Sequence, residues 1–75
     1  MNNYLDRIET NPNIMLGKPI IKGTRITVEL IIKKLSEGMS YDDIKKAYPI
    51  LKDEDIFAVL SYSYEVISKE EMLAI

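Results

Sequence analysis

Basic side chains near the front of the chain are the residues whose types and spacing best fit a binding chemistry. Lys18, Lys22 and Arg25 lie within residues 17–28, a stretch that contains no acidic residue. Ammonium and guanidinium groups bond phosphate oxygens, and such contacts supply much of the affinity of proteins for nucleic acid. The segment therefore predicts a cationic surface that contacts DNA.

The same three residues also have structural explanations, which the sequence leaves open. Exposed lysines on an edge strand hinder strand-to-strand aggregation, and this would account for Lys18 and Lys22. Arg25 lies between a turn and a predicted helix, where its guanidinium could bond a carboxylate or the carbonyls of a helix end.

A second cationic group surrounds the connection between the second and third predicted helices, at Lys45, Lys46 and Lys52. The third helix would begin with three acidic residues, 53–55, which phosphates repel. Insertion of that helix into a DNA groove is therefore disfavoured. We expect DNA contact from Lys18, Lys22, Arg25, Lys45 and Lys46.

The residue types argue against catalysis. The chain has no cysteine and no histidine, which removes the common nucleophile, proton shuttle and zinc ligands. Asp53 and Asp55 are two residues apart and do not share a helix face. The glycines at 17 and 23 match no phosphate-binding loop. We expect no enzymatic activity, catalytic residue, metal, cofactor or small-molecule substrate.

Length and charge bound the class of protein. Seventy-five residues make one domain, and a chain this short is only marginally stable alone, which favours a homodimer. Residues 1–52 hold nine basic and six acidic residues, whereas residues 53–75 hold one and six. No run of about 20 apolar residues and no signal peptide is visible. We expect a cytoplasmic protein without membrane contact.

Short strands are predicted before the first helix. Residues 8–10 read as a strand closed by the turn 11–13, and residues 14–16 and 19–21 read as two strand pieces around a turn at 17–18. Pro19 lacks an N–H, so its strand lies at an edge.

Three helices follow. Thr27 is the predicted N-cap of the first, whose apolar stripe is Val28, Ile31, Ile32 and Leu35, and Gly38 ends it. Ser40 and Asp43 form a capping box for the second, which Pro49 ends.

The third helix begins at 52–55 and runs past Glu65. Its predicted buried face contains Ile56, Val59 and Leu60, and continues through Ser63 or Ile67. Four tyrosines, which could stack on bases, are more typical of a core or a dimer interface at this spacing; they are Tyr41, Tyr48, Tyr62 and Tyr64.

The acidic end of the chain, with apolar residues at its terminus, predicts a protein-binding arm. Glu65, Met72, Leu73 and Ile75 are the expected contacts, because apolar anchors beside carboxylates fit an electropositive groove in a partner. A helix end used for dimerisation, or one that is partly frayed, is the alternative.

These elements predict a mainly α fold: three helices with the spacing of a helix-turn-helix, preceded by a short N-terminal β element. Within one domain, 1–75, we expect the β element and bends at 1–26, the helix-turn-helix core at 27–67 and a C-terminal tail at 68–75.

Several linked motifs agree in order and spacing over roughly residues 8–65. They are Asn11-Pro12-x-Ile14, Gly17-Lys18-Pro19-x-Ile21-x-Gly23-Thr24-Arg25-Ile26-x-Val28, Leu35-x-x-Gly38-x-Ser40, Tyr48-Pro49-x-Leu51 and Asp55-Ile56-x-Ala58-x-Leu60-x-Tyr62. In this pattern the chain resembles domain-of-unknown-function family 433. Members of that family look like antitoxins encoded beside a PIN-like ribonuclease toxin. The resemblance implies a three-helix homeodomain-like or winged helix-turn-helix with a short N-terminal β element.

One position departs from the family pattern. Lys52 stands where members often have Thr or Ser, the residue that would cap the third helix. Lysine cannot accept a hydrogen bond, so we expect Asp53 to take over by shifting the helix start by one residue.

The functional hypothesis is an antitoxin that masks a PIN-like ribonuclease toxin and, as a homodimer or complex, binds its own operator DNA. The alternatives are a stand-alone transcriptional regulator and a protein-interaction or dimerisation module that never contacts DNA. The acidic third helix and the low isoelectric point favour the last of these.

Overall fold

A computed structural model describes residues 4–69 of the chain. It confirms the predicted mainly α fold of three helices behind a short N-terminal β element. A single 3₁₀ turn, Tyr4–Arg7, leads into β1 (Ile8–Glu9), and a second one, Met15–Gly17, precedes β2 (Ile20–Ile21). The helices are α1 (Val28–Ser36), α2 (Tyr41–Ala47) and α3 (Asp53–Ser68). Within residues 4–69 no helix has both the length and the apolar character needed to span a bilayer.

The β element is a two-stranded antiparallel sheet in which Ile8 lies opposite Ile21 and Glu9 opposite Ile20. The predicted strand at 14–16 is wrong. The Ile14 N–H donates to the Asn11 carbonyl at 2.9 Å, which curls the chain after the proline turn. Met15 and Leu16 then take left-handed φ values of 49° and 59°, and such residues cannot extend a strand.

The caps of α1 and α2 confirm the sequence reading. The Thr27 hydroxyl accepts the Leu30 N–H at 3.1 Å, and Gly38 ends the first helical segment with a φ of 94°. Ser40 Oγ accepts the Asp43 N–H at 3.0 Å, and the Asp43 carboxylate accepts the Ser40 N–H at 3.1 Å. Both helix starts are therefore satisfied by side chains that lie three residues away.

The start of α3 differs from the prediction. Lys52 itself is the N-cap residue, and α3 begins at Asp53, so the expected shift of the cap to Asp53 is wrong. The Asp55 carboxylate accepts the Lys52 N–H at 2.9 Å. The Lys52 side chain cannot accept the Asp55 N–H in return, because an ammonium group has no lone pair. Only one of the two side-chain hydrogen bonds of a capping box is therefore made, and the Asp55 carboxylate is its acceptor.

The core lies where α1, α2 and the first half of α3 meet β2. Its largest fully buried side chains are Ile20, Ile31, Ile44, Ile56 and Val59. Tyr41, Tyr48 and Tyr62 pack against this cluster. The predicted continuation of the buried face beyond Val59 is wrong for Leu60 and Ile67, which are 39% and 62% exposed. The alternative, Ser63, is half-buried.

Candidate nucleic-acid and protein-binding surfaces

The cationic residues Lys22 and Arg25 are the first and last residues of a four-residue turn. Hydrogen bonds between residues in and beside the turn hold it closed. The Ile21 N–H donates to the Ile26 carbonyl at 2.9 Å. Across the turn, the Thr24 hydroxyl donates to the Ile21 carbonyl at 2.8 Å and accepts the Ile26 N–H at 2.9 Å. This turn, residues 22–25, is called the basic turn below.

The basic turn is also tied to the rest of the protein. The Lys22 N–H donates to the Arg7 carbonyl at 2.7 Å, and Gly23 takes the left-handed φ of 81° that the bend requires. The side chains of Lys22 and Arg25 are exposed. Within residues 4–69 neither of them has an ion-pair partner. Two cations are thus held on a braced backbone and left available to a ligand.

Lys18 differs from these two cations. Its ammonium lies 3.1 Å from the Glu29 carboxylate, and both side chains are largely exposed. An exposed pair of this kind contributes little stability because water screens it. Lys18 can therefore exchange Glu29 for a phosphate at small cost.

The predicted cations of α2 lie on a different element from the basic turn. Lys45 Nζ is 2.8 Å from an Asp53 carboxylate oxygen and 3.6 Å from one of Asp42. The hydrogen bond to Asp53 is the main cause that raises the pKa of Lys45 above its ordinary value. Lys46 is exposed. Lys45 thus joins the first turns of α2 and α3, while Lys46 faces solvent.

The acidic first turn of α3 is largely neutralised by its neighbours. Asp55 is buried, at 6% exposure, and its carboxylate lies 2.9 Å from the Arg7 guanidinium. Asp53 is held by Lys45 at 2.8 Å. Glu54 is exposed. The repulsion of phosphate that three free carboxylates would cause is accordingly reduced.

Arg7 forms the structural bond to a carboxylate that the sequence analysis gave as one possible role of Arg25. No local spacing points to Arg7, since its partner lies 48 residues away in the chain. The sequence carried no signal for this pair, because the burial of Asp55, which makes a cationic or N–H partner necessary, is visible only in the structure. Arg25 is thereby left to solvent or to a ligand.

Only Glu65 of the expected protein-binding residues lies within the described residues. It is exposed, and its carboxylate is 3.9 Å from the Lys69 ammonium. Met72, Leu73 and Ile75 lie outside the described residues.

An apolar groove that the sequence reading missed lies between α1 and the end of α3. It has a volume of about 310 Å³. Its walls are formed by Pro19, Val28, Glu29, Ile32, Tyr62, Ser63, Val66 and Ile67. Beside it runs an exposed apolar stripe, called the ridge below, which consists of Leu60, Tyr64 and Ile67. The spacing of four and three residues was the available signal, but the sequence analysis placed Leu60 on the buried face and did not connect it with Tyr64.

Comparison with known proteins gives a family. The chain is similar to the crystal structure of a DUF433 member protein from Anabaena variabilis, with 28% sequence identity and a TM-score of 0.75. The similarity covers 85% of this chain and 62% of the other, so this chain spans about three fifths of that protein's length. No curated protein matches significantly. The family model for DUF433, described as a protein of unknown function, matches residues 8–63. The chain therefore belongs to the DUF433 family.

Proposed function

We propose that this protein is an antitoxin: it neutralises a PIN-like ribonuclease toxin and represses its own operon by binding operator DNA. The observation that carries the proposal is the presence of two unlike surfaces on one small domain. The basic turn offers cations to a polyanion, and the sequence from Glu65 onward, with three glutamates and the apolar Met72, Leu73 and Ile75, offers contacts to a protein. An autoregulating antitoxin needs both surfaces.

The nucleic-acid half of the proposal rests on exposed cations whose backbone is fixed by hydrogen bonds. Lys22 and Arg25 are exposed, without ion-pair partners within residues 4–69, and carried by a hydrogen-bonded turn. Such a cation breaks no ion pair when it binds a phosphate, so the counterion release contributes fully to the binding free energy. Lys46 adds a third exposed charge, and Lys18 and Lys45 can contact phosphates after exchanging their acidic partners.

The protein half of the proposal rests on the end of the chain. Glu65 is exposed beyond the core, and the residues that follow α3 include two further glutamates and the apolar Met72, Leu73 and Ile75. A ribonuclease binds RNA in an electropositive groove, so an acidic segment with apolar anchors has the complementary character. Masking of that groove would block RNA cleavage without any chemistry in the antitoxin.

The DNA half is tested by a gel shift on the promoter fragment of the protein's own gene at several salt concentrations. Lys22→Ala with Arg25→Ala removes two phosphate contacts, and we expect the slope of log K against log salt to become shallower by about 1.8. Lys33→Ala with Lys34→Ala is the matched control, with the same loss of charge on α1, and should keep the wild-type slope. No shift at low salt would reject DNA binding.

The toxin half is tested by co-expression with a PIN-like ribonuclease encoded beside the gene. We expect the wild-type chain to restore growth and to co-purify with the ribonuclease. Met72→Ser, Leu73→Ser and Ile75→Ser together should abolish both effects while leaving the gel shift intact. Toxicity that persists with the wild-type chain would reject the antitoxin role.

A protein-interaction module without DNA binding is the second candidate. The six acidic residues among 53–75, against one basic residue, favour it. Co-purification without any gel shift would select this function, and a gel shift without a partner would select a stand-alone regulator.

A further inference from the structure

One side of the second half of α3 is apolar, and no other described element covers it. Val59 is fully buried, but Tyr64 and Ile67, up to eight residues later, are 68% and 62% exposed. A helix normally turns its apolar stripe toward a core, so a stripe left in water implies a surface that covers it. The groove against α1 begins on the same helix and is equally uncovered.

The ridge and the groove are convex and concave parts of one continuous face. Ile67 belongs to both, since it ends the ridge and forms part of the groove wall. A two-fold interface requires a patch that is complementary to itself. Here the ridge of one copy can enter the groove of the next, while its own groove receives the other ridge.

The charges around the groove favour the same occupant. Lys18 and Glu29 form a pair on the α1 side, at 3.1 Å, and Glu65 and Lys69 form one beyond the α3 side, at 3.9 Å. Each side carries one cation and one anion and so has no net charge. A strongly basic or acidic partner gains no attraction there. A second copy of the chain has the same uncharged balance of one cation and one anion on each side of its groove, so no net repulsion opposes its binding.

We infer that the chain forms a two-fold homodimer in which the ridge of each copy fills the α1–α3 groove of the other. The two-fold axis passes beside Ile67, because the axis of such an interface lies where its convex and concave halves meet. Burial of this face adds apolar area that a domain of this size lacks by itself. The dimer does not depend on the proposed antitoxin function, because isolated protein suffices to form it.

The test is sedimentation equilibrium of the full-length protein from about 1 to about 500 µM. We expect the wild type to dimerise, and Ile67→Lys to raise the dimer dissociation constant by at least tenfold, which is about 1.4 kcal/mol. Ile50→Lys is the matched control, because Ile50 is 63% exposed against 62% for Ile67 but lies between α2 and α3. It should dimerise like the wild type.

A cross-linking measurement covers the case in which a charged residue disturbs folding. The chain has no cysteine, so Ile67→Cys and Ile50→Cys each introduce a single thiol. We expect mild oxidation to link Ile67→Cys into a disulfide dimer and to leave Ile50→Cys largely monomeric. A wild type that stays monomeric throughout, an Ile67→Lys variant that dimerises unchanged, or equal cross-linking of the two cysteine variants would overturn the inference.

Discussion

The starts of α2 and α3 solve the same problem in different ways. At α2, Ser40 and Asp43 exchange two hydrogen bonds across three residues, on an exposed surface. At α3, Lys52 can return no bond, and the buried Asp55 is held from outside by Arg7 at 2.9 Å. The first start is complete within its own segment. The second is completed by a residue that precedes β1.

This difference has a consequence for cooperativity. Loss of the α2 cap weakens one short helix, whereas loss of Asp55 also removes the ion pair between the N-terminal segment and α3. The Lys22 N–H donates to the Arg7 carbonyl, so the basic turn is bonded directly to the residue that pairs with Asp55. The position of the proposed DNA-binding cations therefore depends on the start of α3.

The largest effect is expected from Asp55→Ala. The change removes the acceptor for the Lys52 N–H and leaves Arg7 without its partner, and we expect a loss of about 2 to 3 kcal/mol in the free energy of unfolding. Urea denaturation measures it. Arg7→Ala in the Asp55→Ala background should cost much less than Arg7→Ala alone. Equal costs in the two backgrounds would show that the pair is not coupled.

Ser40→Ala should have a smaller effect, of about 1 kcal/mol, because it removes only the hydroxyl that accepts the Asp43 N–H. Ser36→Ala is the control, since the Ser36 hydroxyl is exposed and bonds a carbonyl of its own helix. Urea denaturation of both variants is the measurement. A Ser40→Ala cost as large as that of Asp55→Ala would remove the contrast between the two helix starts.

Lys52→Ser tests whether α3 lacks only the hydroxyl that α2 has. Serine can accept the Asp55 N–H and complete the capping box, so we expect stabilisation by about 0.5 to 1 kcal/mol. Lys46→Ser is the control for the loss of one exposed lysine. Destabilisation by Lys52→Ser would mean that the lysine has a role of its own at this site.

The two helix starts also show which parts of the structure the sequence could predict. Thr27, Ser40 and Asp43 were identified because a capping side chain and the backbone N–H that donates to it lie within one turn of each other. The Arg7–Asp55 brace was missed because its partners are 48 residues apart. The pairing of Ile8 with Ile21 likewise joins residues that no local pattern connects. Ile67 was assigned to the core because a helical stripe predicts burial without saying which surface covers it.

The smallest expected effect is the contribution of the negative charge of Asp43 to the α2 cap, apart from the contribution of its hydrogen-bonding oxygen. The hydrogen bond from the Ser40 backbone N–H is the main cause that lowers the pKa of Asp43 below its ordinary value. A lowered native pKa gives stability that is fully present above the unfolded pKa and is lost as the pH falls through the native one.

Asp43→Asn keeps an oxygen acceptor but cannot ionise. We therefore expect this variant to be less stable than the wild type near neutral pH, and the difference to shrink below the ordinary aspartate pKa of 3.8. Urea midpoints at about pH 6 and about pH 3 measure it. Asp42→Asn removes the same charge from the same helical turn without touching the cap. If its stability difference from the wild type shrank equally in acid, the effect would come from net charge and not from the capping bond.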